Sequence, residues 1–230
     1  MSANILDGKQ IAKDILEDVS RKVSELKLSG WYPKLISIKV GTNPAVDLYI
    51  RNQRLKAEQV GIIFEEKEYP YDISANELQA AIANFNVDPQ ITGIFLQRPV
   101  PESIPIKTLQ KAIHPLKDVE GMHPTSIGNI VYNELELGPC TAMASVELLR
   151  RTGQDLKGLD VVVIGPSEIV GKPIAFLLMA EGATVTVCHH MTKDVADHSR
   201  RADAVFVAVG KPNLITADML KSGATLIDIG

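Results

Sequence analysis

Apolar residues recur along the chain in two rhythms, and the switching between them outlines a fold. From Gly8 to Leu28, Ile11, Ile15, Val19, Val23 and Leu26 fall at helical spacing, broken at Ser29-Gly30. "KLISIKVG" (34–41) changes to a strand rhythm that ends in glycine. "PAVDLYIRNQRLKAEQVG" (44–61), opened by proline and closed by glycine, predicts a helix. "IIFEEKEY" (62–69) predicts a strand. "SANELQAAIANFN" (74–86) predicts a helix whose Ser74 and Glu77 are spaced as a capping box. "ITGIFLQRPVP" (91–101) is a short buried strand running into a proline-rich loop, and "PIKTLQKAI" (105–113) is a short helix. "HPLKDVEGMHPTSIGNIV" (114–131) has few apolar positions before Ile127 and reads as a loop.

The second half repeats the alternation. "TAMASVELLRRTG" (141–153) predicts a connecting helix with a glycine stop. Strands follow at 159–165, 183–189, 203–210 and 224–230, with helices predicted between them at 169–182, 194–202 and 215–223. Such βαβ alternation demands parallel strands with helices on the sheet faces. The expected fold class is α/β in two lobes, 1–138 and 139–230, joined near Pro139. No repeat of fixed period and no low-complexity tract interrupts it.

Composition narrows the function. The chain has 230 residues, 45% hydrophobic and 23% charged, enough for one large core or two small ones. A net charge of −4, a pI near 5.8 and only 5% aromatic residues give no basic field and few stacking platforms, so no nucleic-acid partner is expected. Cys140 and Cys188 lie far apart without a CxxC partner, which argues against a disulfide framework or a zinc knuckle and for reduced thiols in a cytoplasmic setting. The N-terminus lacks a leader pattern, and no apolar run approaches the ~18 residues of a membrane span.

Four stretches carry candidate chemistry, each with an ordinary structural reading beside it. "DVVVIGPSEIVGKP" (160–173) is a strand entering a helix through a loop that keeps only Gly165 and Gly171. Gly165 eases the turn, Gly171 allows close packing, and N–H groups at the helix start favour a phosphate. A plain βα turn has the same spacing. "FLQRPVP" brings Gln97 and Arg98 to a strand's C-terminal end, where α/β proteins bind ligands. Gln97 both donates and accepts, which suits a heteroaromatic ring edge, although a polar strand cap looks alike. "KDVEGMHP" gathers Asp118, Glu120 and His123 around Gly121, either a grip for ligand N–H groups or a solvated turn. No second cluster supports a metal, and none is expected. Tyr49, Gln53 and Lys56 share one helical face. His189 and His190 end a strand where adjacent side chains diverge, which suits a cofactor's adenosine ribose better than zinc.

Taken in order, "LDGKQIA", "VGTNPAVDLYI", "GIFLQRPVP", "KDVEGMHP", "GPCTA", "VVVIGPSEIVGKP", "ATVTVCH" and "VAVGKP" resemble the methylenetetrahydrofolate dehydrogenase/cyclohydrolase (FolD) family over essentially the whole chain. The resemblance implies a folate-binding lobe and a Rossmann-type NAD(P) lobe, with a homodimer formed through the latter. It also implies two reactions: hydride transfer from 5,10-methylenetetrahydrofolate to nicotinamide, then hydration of the methenyl cation to 10-formyltetrahydrofolate. It assigns catalysis to Tyr49, Gln53, Gln97 and Glu120, and substrate binding to Tyr49, Gln97, Pro99, Val100, Asp118 and Glu120. Cofactor binding falls to Gly165, Pro166, Ser167, Ile169, Val170, His189, His190, Val209 and Gly210. Such a lobe normally continues past "LIDIG", so the second lobe is expected to be incomplete at its C-terminus.

The sequence also departs from the resemblance. The family's Tyr-x-x-x-Lys is Tyr49-Ile-Arg-Asn-Gln53, and an amide cannot exchange a proton near neutral pH as a desolvated lysine does. Cyclohydrolase activity is therefore expected to be lost or weak. Lys56 would have to reach roughly 5 Å further along the helix axis to substitute. Val46 replaces a serine, Glu120 an aspartate, and "PCTAMA" lacks a proline after threonine. Pro166 stands where many members carry an arginine for the 2′-phosphate of NADP, although His190, Lys193 or Arg200 can contribute cation or donor there. The balance tips only slightly to NADP over NAD. Two other functions stay open: a non-catalytic folate- or nucleotide-binding paralogue, and a dehydrogenase for a related pterin.

Overall fold

A computed structural model describes residues 3–230. The chain divides into two compact units, Asp7–Pro124 and Thr125–Gly230, the latter joined by residues 3–6. This contact boundary lies earlier in the chain than the division at 138/139 expected from the sequence.

The first unit opens with α1 (Gly8–Leu28), capped by Asp7, whose side chain accepts from Lys9 and Gln10 N–H. Then come β1 (Lys34–Val40), α2 (Pro44–Val60), β2 (Ile63–Tyr69), α3 (Ala75–Val87), β3 (Gly93–Leu96) and α4 (Ile106–Ala112). Asn43 caps α2 through Ala45 and Val46 N–H, Pro44 occupies its first turn, and Gly61 at φ 84° ends it in the left-handed region. The capping box is present on α3, with Ser74 and Glu77 bonded reciprocally. The strands pair in parallel in the order β2-β1-β3. Ile36, Ile38 and Val40 of β1 join Ile94 and Leu96 of β3, Leu78 and Ile82 of α3, and Leu109 of α4 in one core. The opposite face of β1 carries Ser37 and Lys39 towards α2.

The second unit contains α5 (Pro124–Tyr132), which begins at the boundary, α6 (Cys140–Arg150), β4 (Asp160–Ile164), α7 (Gly171–Ala180), β5 (Thr184–Cys188), α8 (Val195–Ser199), β6 (Ala204–Val207) and β7 (Thr225–Asp228). Its parallel sheet has the order β5-β4-β6-β7. Alternation along β4 and β6 feeds two cores. Val161, Val163 and Phe206 face α6 and α7, whereas Val162, Ile164, Val205 and Val207 face Cys188, Ala202 and Leu214. Cys140 is exposed and Cys188 buried. No helix among the described residues is long and apolar enough to cross a membrane.

Two stretches correct the sequence expectations. The loop expected through 131 contains the helix α5. Its Ile130 is buried in the second unit's core and Ile127 packs against it. Tertiary burial supplies what nine residues containing Gly128 could not supply alone. Conversely, the helix expected over 215–223 is only a 3₁₀ turn at Ala217–Met219. Leu214, Ile215 and Leu220 anchor it, and Gly223 at φ 83° turns the chain away.

Candidate functional site

In both sheets the first strand lies inside and the chain leaves it in opposite directions, to β2 and β3 in one unit and to β5 and β6 in the other. The crevice at the carboxyl ends of such strands is where open α/β sheets bind ligands. The residues singled out from the sequence collect at these two places.

At the end of β3, Gln97 is 3% exposed. Its Nε2 donates to Ser37 Oγ at 2.8 Å and to Gln53 Oε1 at 2.6 Å, so two strands and α2 meet in one neutral hydrogen-bonded cluster. Tyr49, one turn before Gln53, is 53% exposed, with its ring centroid 6.1 Å from that of Phe95 on β3. Lys56 does not join them. It is exposed and donates to Gln59 Oε1 at 3.2 Å. After Gln97 the chain turns through a cis Arg98–Pro99 bond, with Pro99 exposed and Val100 packed on the first core.

The acidic turn returns to the same strand. A 3₁₀ turn at Pro115–Lys117 delivers Asp118 beside β3, where it pairs with Ile94 as a parallel bridge. Asp118 is 3% exposed, and its carboxylate accepts from His123 N–H at 2.5 Å. Burial raises its pKa, opposed by backbone N–H groups of His123, Met122 and Glu120. Glu120 is pushed up to about 7, first by burial and further by Asp118, against the pull of Arg98 and of a backbone hydrogen bond at Leu96. The turn therefore holds one buried carboxylate and a second that changes charge near neutrality. Gly121 at φ 63° permits it.

At the second crevice, steric contact explains both loop glycines. A Cβ on Gly165 would lie 2.3 Å from Ala208 O, and one on Gly171 would lie 1.7 Å from Gly165 O. The loop is thus folded tightly on itself and against the end of β6. Pro166, Ser167, Ile169 and Val170 line it, with Ile169 and Ser167 exposed. Val209 and Gly210 follow β6, exposed as well. The N–H groups expected to be open for a phosphate are partly engaged. Val170 N–H donates to Ser167 Oγ at 3.1 Å and Gly171 N–H at 3.4 Å. A serine four residues before the helix start at Gly171 is the signal for this local bonding. His189 and His190 are exposed after β5, their ring centroids 6.0 Å apart, and His189 Nδ1 accepts from Met191 N–H. Arg200 donates to Asp218 O at 3.0 Å, whereas Lys193 is exposed.

Ser37 and Lys39 were not singled out from the sequence. The available signal was two polar residues at alternate positions of a strand whose two faces both lie under helices.

Residues 6–120 match the family model described as tetrahydrofolate dehydrogenase/cyclohydrolase, catalytic domain, and residues 139–230 match its NAD(P)-binding domain. The chain belongs to the tetrahydrofolate dehydrogenase/cyclohydrolase family. Within that family it is 65% identical to a protein of Mesorhizobium japonicum named bifunctional protein FolD 2, over 98% of this chain and 74% of the relative. Its fold matches the crystal structure of the bifunctional FolD enzyme of Campylobacter jejuni with a TM-score of 0.96 at 38% identity, covering 100% of this chain and 82% of the other. It matches the Trypanosoma brucei methylenetetrahydrofolate dehydrogenase-cyclohydrolase, solved with NADP and an inhibitor, with a TM-score of 0.92 at 34% identity, covering 100% and 80%. The fold class is accordingly that of the FolD proteins: an N-terminal catalytic domain followed by a parallel-sheet NAD(P)-binding domain.

Proposed function

We propose that this FolD-family chain oxidises 5,10-methylenetetrahydrofolate to the 5,10-methenyl cation and that its cyclohydrolase step is lost or weak. The observation that carries this reading is the Gln53–Gln97 contact of 2.6 Å, an amide bonded to an amide beside an exposed tyrosine.

A nicotinamide cofactor supplies the hydride acceptor when bound. The tight loop at Gly165, the exposed stretch from Ser167 to Ile169, and Val209, Gly210, His189 and His190 at the ends of three adjacent strands are suited to hold it. NADP is slightly preferred to NAD, since His190 and Lys193 stand exposed in the stretch that follows β5. On the folate side, Asp118 and Glu120 accept N–H groups of the pterin, and Tyr49 lines its face.

Loss of hydride leaves positive charge on the folate, and no proton leaves the protein in that step. Gln53 and Gln97 are neutral and do not oppose the charge. Hydration differs, because water must give up a proton as it attacks, and neither amide can take it. Lys56, bonded to Gln59, is not placed to help. A homodimer through the nucleotide unit belongs to the same reading.

The test mixes the protein with 5,10-methylenetetrahydrofolate and NADP⁺ or NAD⁺, following reduced nicotinamide and methenyl product together. Equal accumulation, with methenyl consumed no faster than without protein, is the expected result. Rapid methenyl consumption would overturn the reading of Gln53, and no reduction of either cofactor would overturn the dehydrogenase.

A further inference from the structure

Beside the neutral cluster lies a charged one. Lys39 stands two residues beyond Ser37 on β1, on the same face, with its side chain 8% exposed. Its ammonium donates to Asp47 Oδ1 at 2.7 Å, in the first turn of α2. It lies 3.3 Å from Glu68 Oε1 and 3.8 Å from Glu66 Oε1, both on β2. Arg54 of α2 meets Glu66 Oε2 at 2.9 Å. These are the charged groups that face Lys39 from α2 and β2.

An ammonium withdrawn from water is costly unless its partners compensate, so each of these contacts constrains where the elements stand. The hydrogen bond that Lys39 donates to Asp47 raises the Lys39 pKa, outweighing burial, and Lys39 stays a cation at neutral pH. It is no proton carrier. It is placed to hold α2. Asp47 is two residues before Tyr49, and Gln53 follows one turn later on the same helix. The rotation and height of α2 over the sheet decide whether Tyr49 meets Phe95 and Gln53 meets Gln97.

We propose that Lys39 is a positioning residue for the candidate substrate site: by tying the first turn of α2 to β1 and β2, it sets where Tyr49 and Gln53 stand. The kinetic part of this inference rests on the proposed dehydrogenase activity, and the structural part does not.

The experiment compares Lys39→Met, Asp47→Ala and the control Lys34→Met in the full chain. Lys34 pairs with Glu65 at 2.6 Å, an ion pair between β1 and β2 that does not involve α2. Asp47→Ala removes the acceptor on α2 but leaves Lys39 its two glutamates, so it serves should Lys39→Met fail to fold. Steady-state oxidation of 5,10-methylenetetrahydrofolate and a crystal structure are obtained for each variant. The expected result is a fall in kcat of about tenfold or more for both α2-clamp variants, with the KM for nicotinamide cofactor unchanged. Gln53 Oε1 should also move out of hydrogen-bonding range of Gln97 Nε2. Lys34→Met should show neither change, whatever its loss of thermal stability. An intact Gln53–Gln97 contact in the clamp variants overturns the proposal, as does a kcat no lower than that of Lys34→Met. If the unaltered protein oxidises no methylenetetrahydrofolate, the proposed function falls by itself. The position of Gln53 in the variant structures then still decides the role of Lys39.

Discussion

Gln53 presents an amide whose oxygen is already engaged by Gln97. A lysine there would bring an exchangeable proton to the site and would turn the Gln97 carbonyl oxygen, rather than its NH₂, towards position 53. Gln53→Lys is expected to speed methenyl consumption by roughly tenfold or more, read from the decay of added methenyltetrahydrofolate. It should also slow hydride transfer, because an ammonium opposes the growing cation. Unchanged decay would place the proton acceptor elsewhere. Glu120 makes a second prediction, about stability. Its folded pKa of about 7 lies above the ordinary 4.5, so the folded chain binds its proton more tightly than the unfolded one. That contribution is complete below about 4.5 and is lost as pH rises through about 7, on the order of 3 kcal/mol in all. Burial shifts Asp118 in the same direction. Glu120→Gln should therefore flatten the fall in denaturation free energy of the ligand-free protein across that window. An equally steep fall in the variant would assign it to other groups.

At the scale of elements, two helices offer a contrast because they cover opposite faces of one sheet. Asn43→Ala removes the cap of α2 and Ser74→Ala removes half of the capping box of α3, each costing about 1 kcal/mol of stability. Only Asn43→Ala is expected to lower kcat, since α2 carries Tyr49 and Gln53. Equal kinetic losses from the two variants would mean that stability alone is being read. These helices were legible in the sequence because their start and stop signals are local: Pro44, Gly61, and Ser74 with Glu77 act within a turn of where they stand. α5 was not legible, since its stability comes from Ile130 in a core assembled by residues far along the chain. The same distinction governs the site. Tyr49, Gln97 and the acidic turn stood out as motifs, and Gly165 with Gly171 as a loop. Ser37 and Lys39 have meaning only once β1 is placed beneath α2 and beside β2.

At the scale of the whole molecule, the units Asp7–Pro124 and Thr125–Gly230 have their own sheets and their own cores. A lesion in one should leave the other's protection standing. Gly171→Ala forces a Cβ onto a backbone oxygen, a clash no side-chain rotation relieves. It is expected to abolish nucleotide binding and to raise amide exchange across 125–230 while Asp7–Pro124 keeps its slow amides, as hydrogen-exchange mass spectrometry would report. Uniform loss of protection would mean that the two units open as one.

The strand order has a consequence for how the molecule comes into being. In each sheet the first strand made is an inner strand, and its two neighbours, β2 and β3 in one and β5 and β6 in the other, are made after it. The three strands of the first sheet pair with one another within Lys34–Leu96, and the bridge from Ile94 to Asp118 is the later addition. A chain emerging from the ribosome therefore carries everything that sheet needs before the first strand of the second has been synthesised. The earlier unit can therefore pair its three strands before the later one exists.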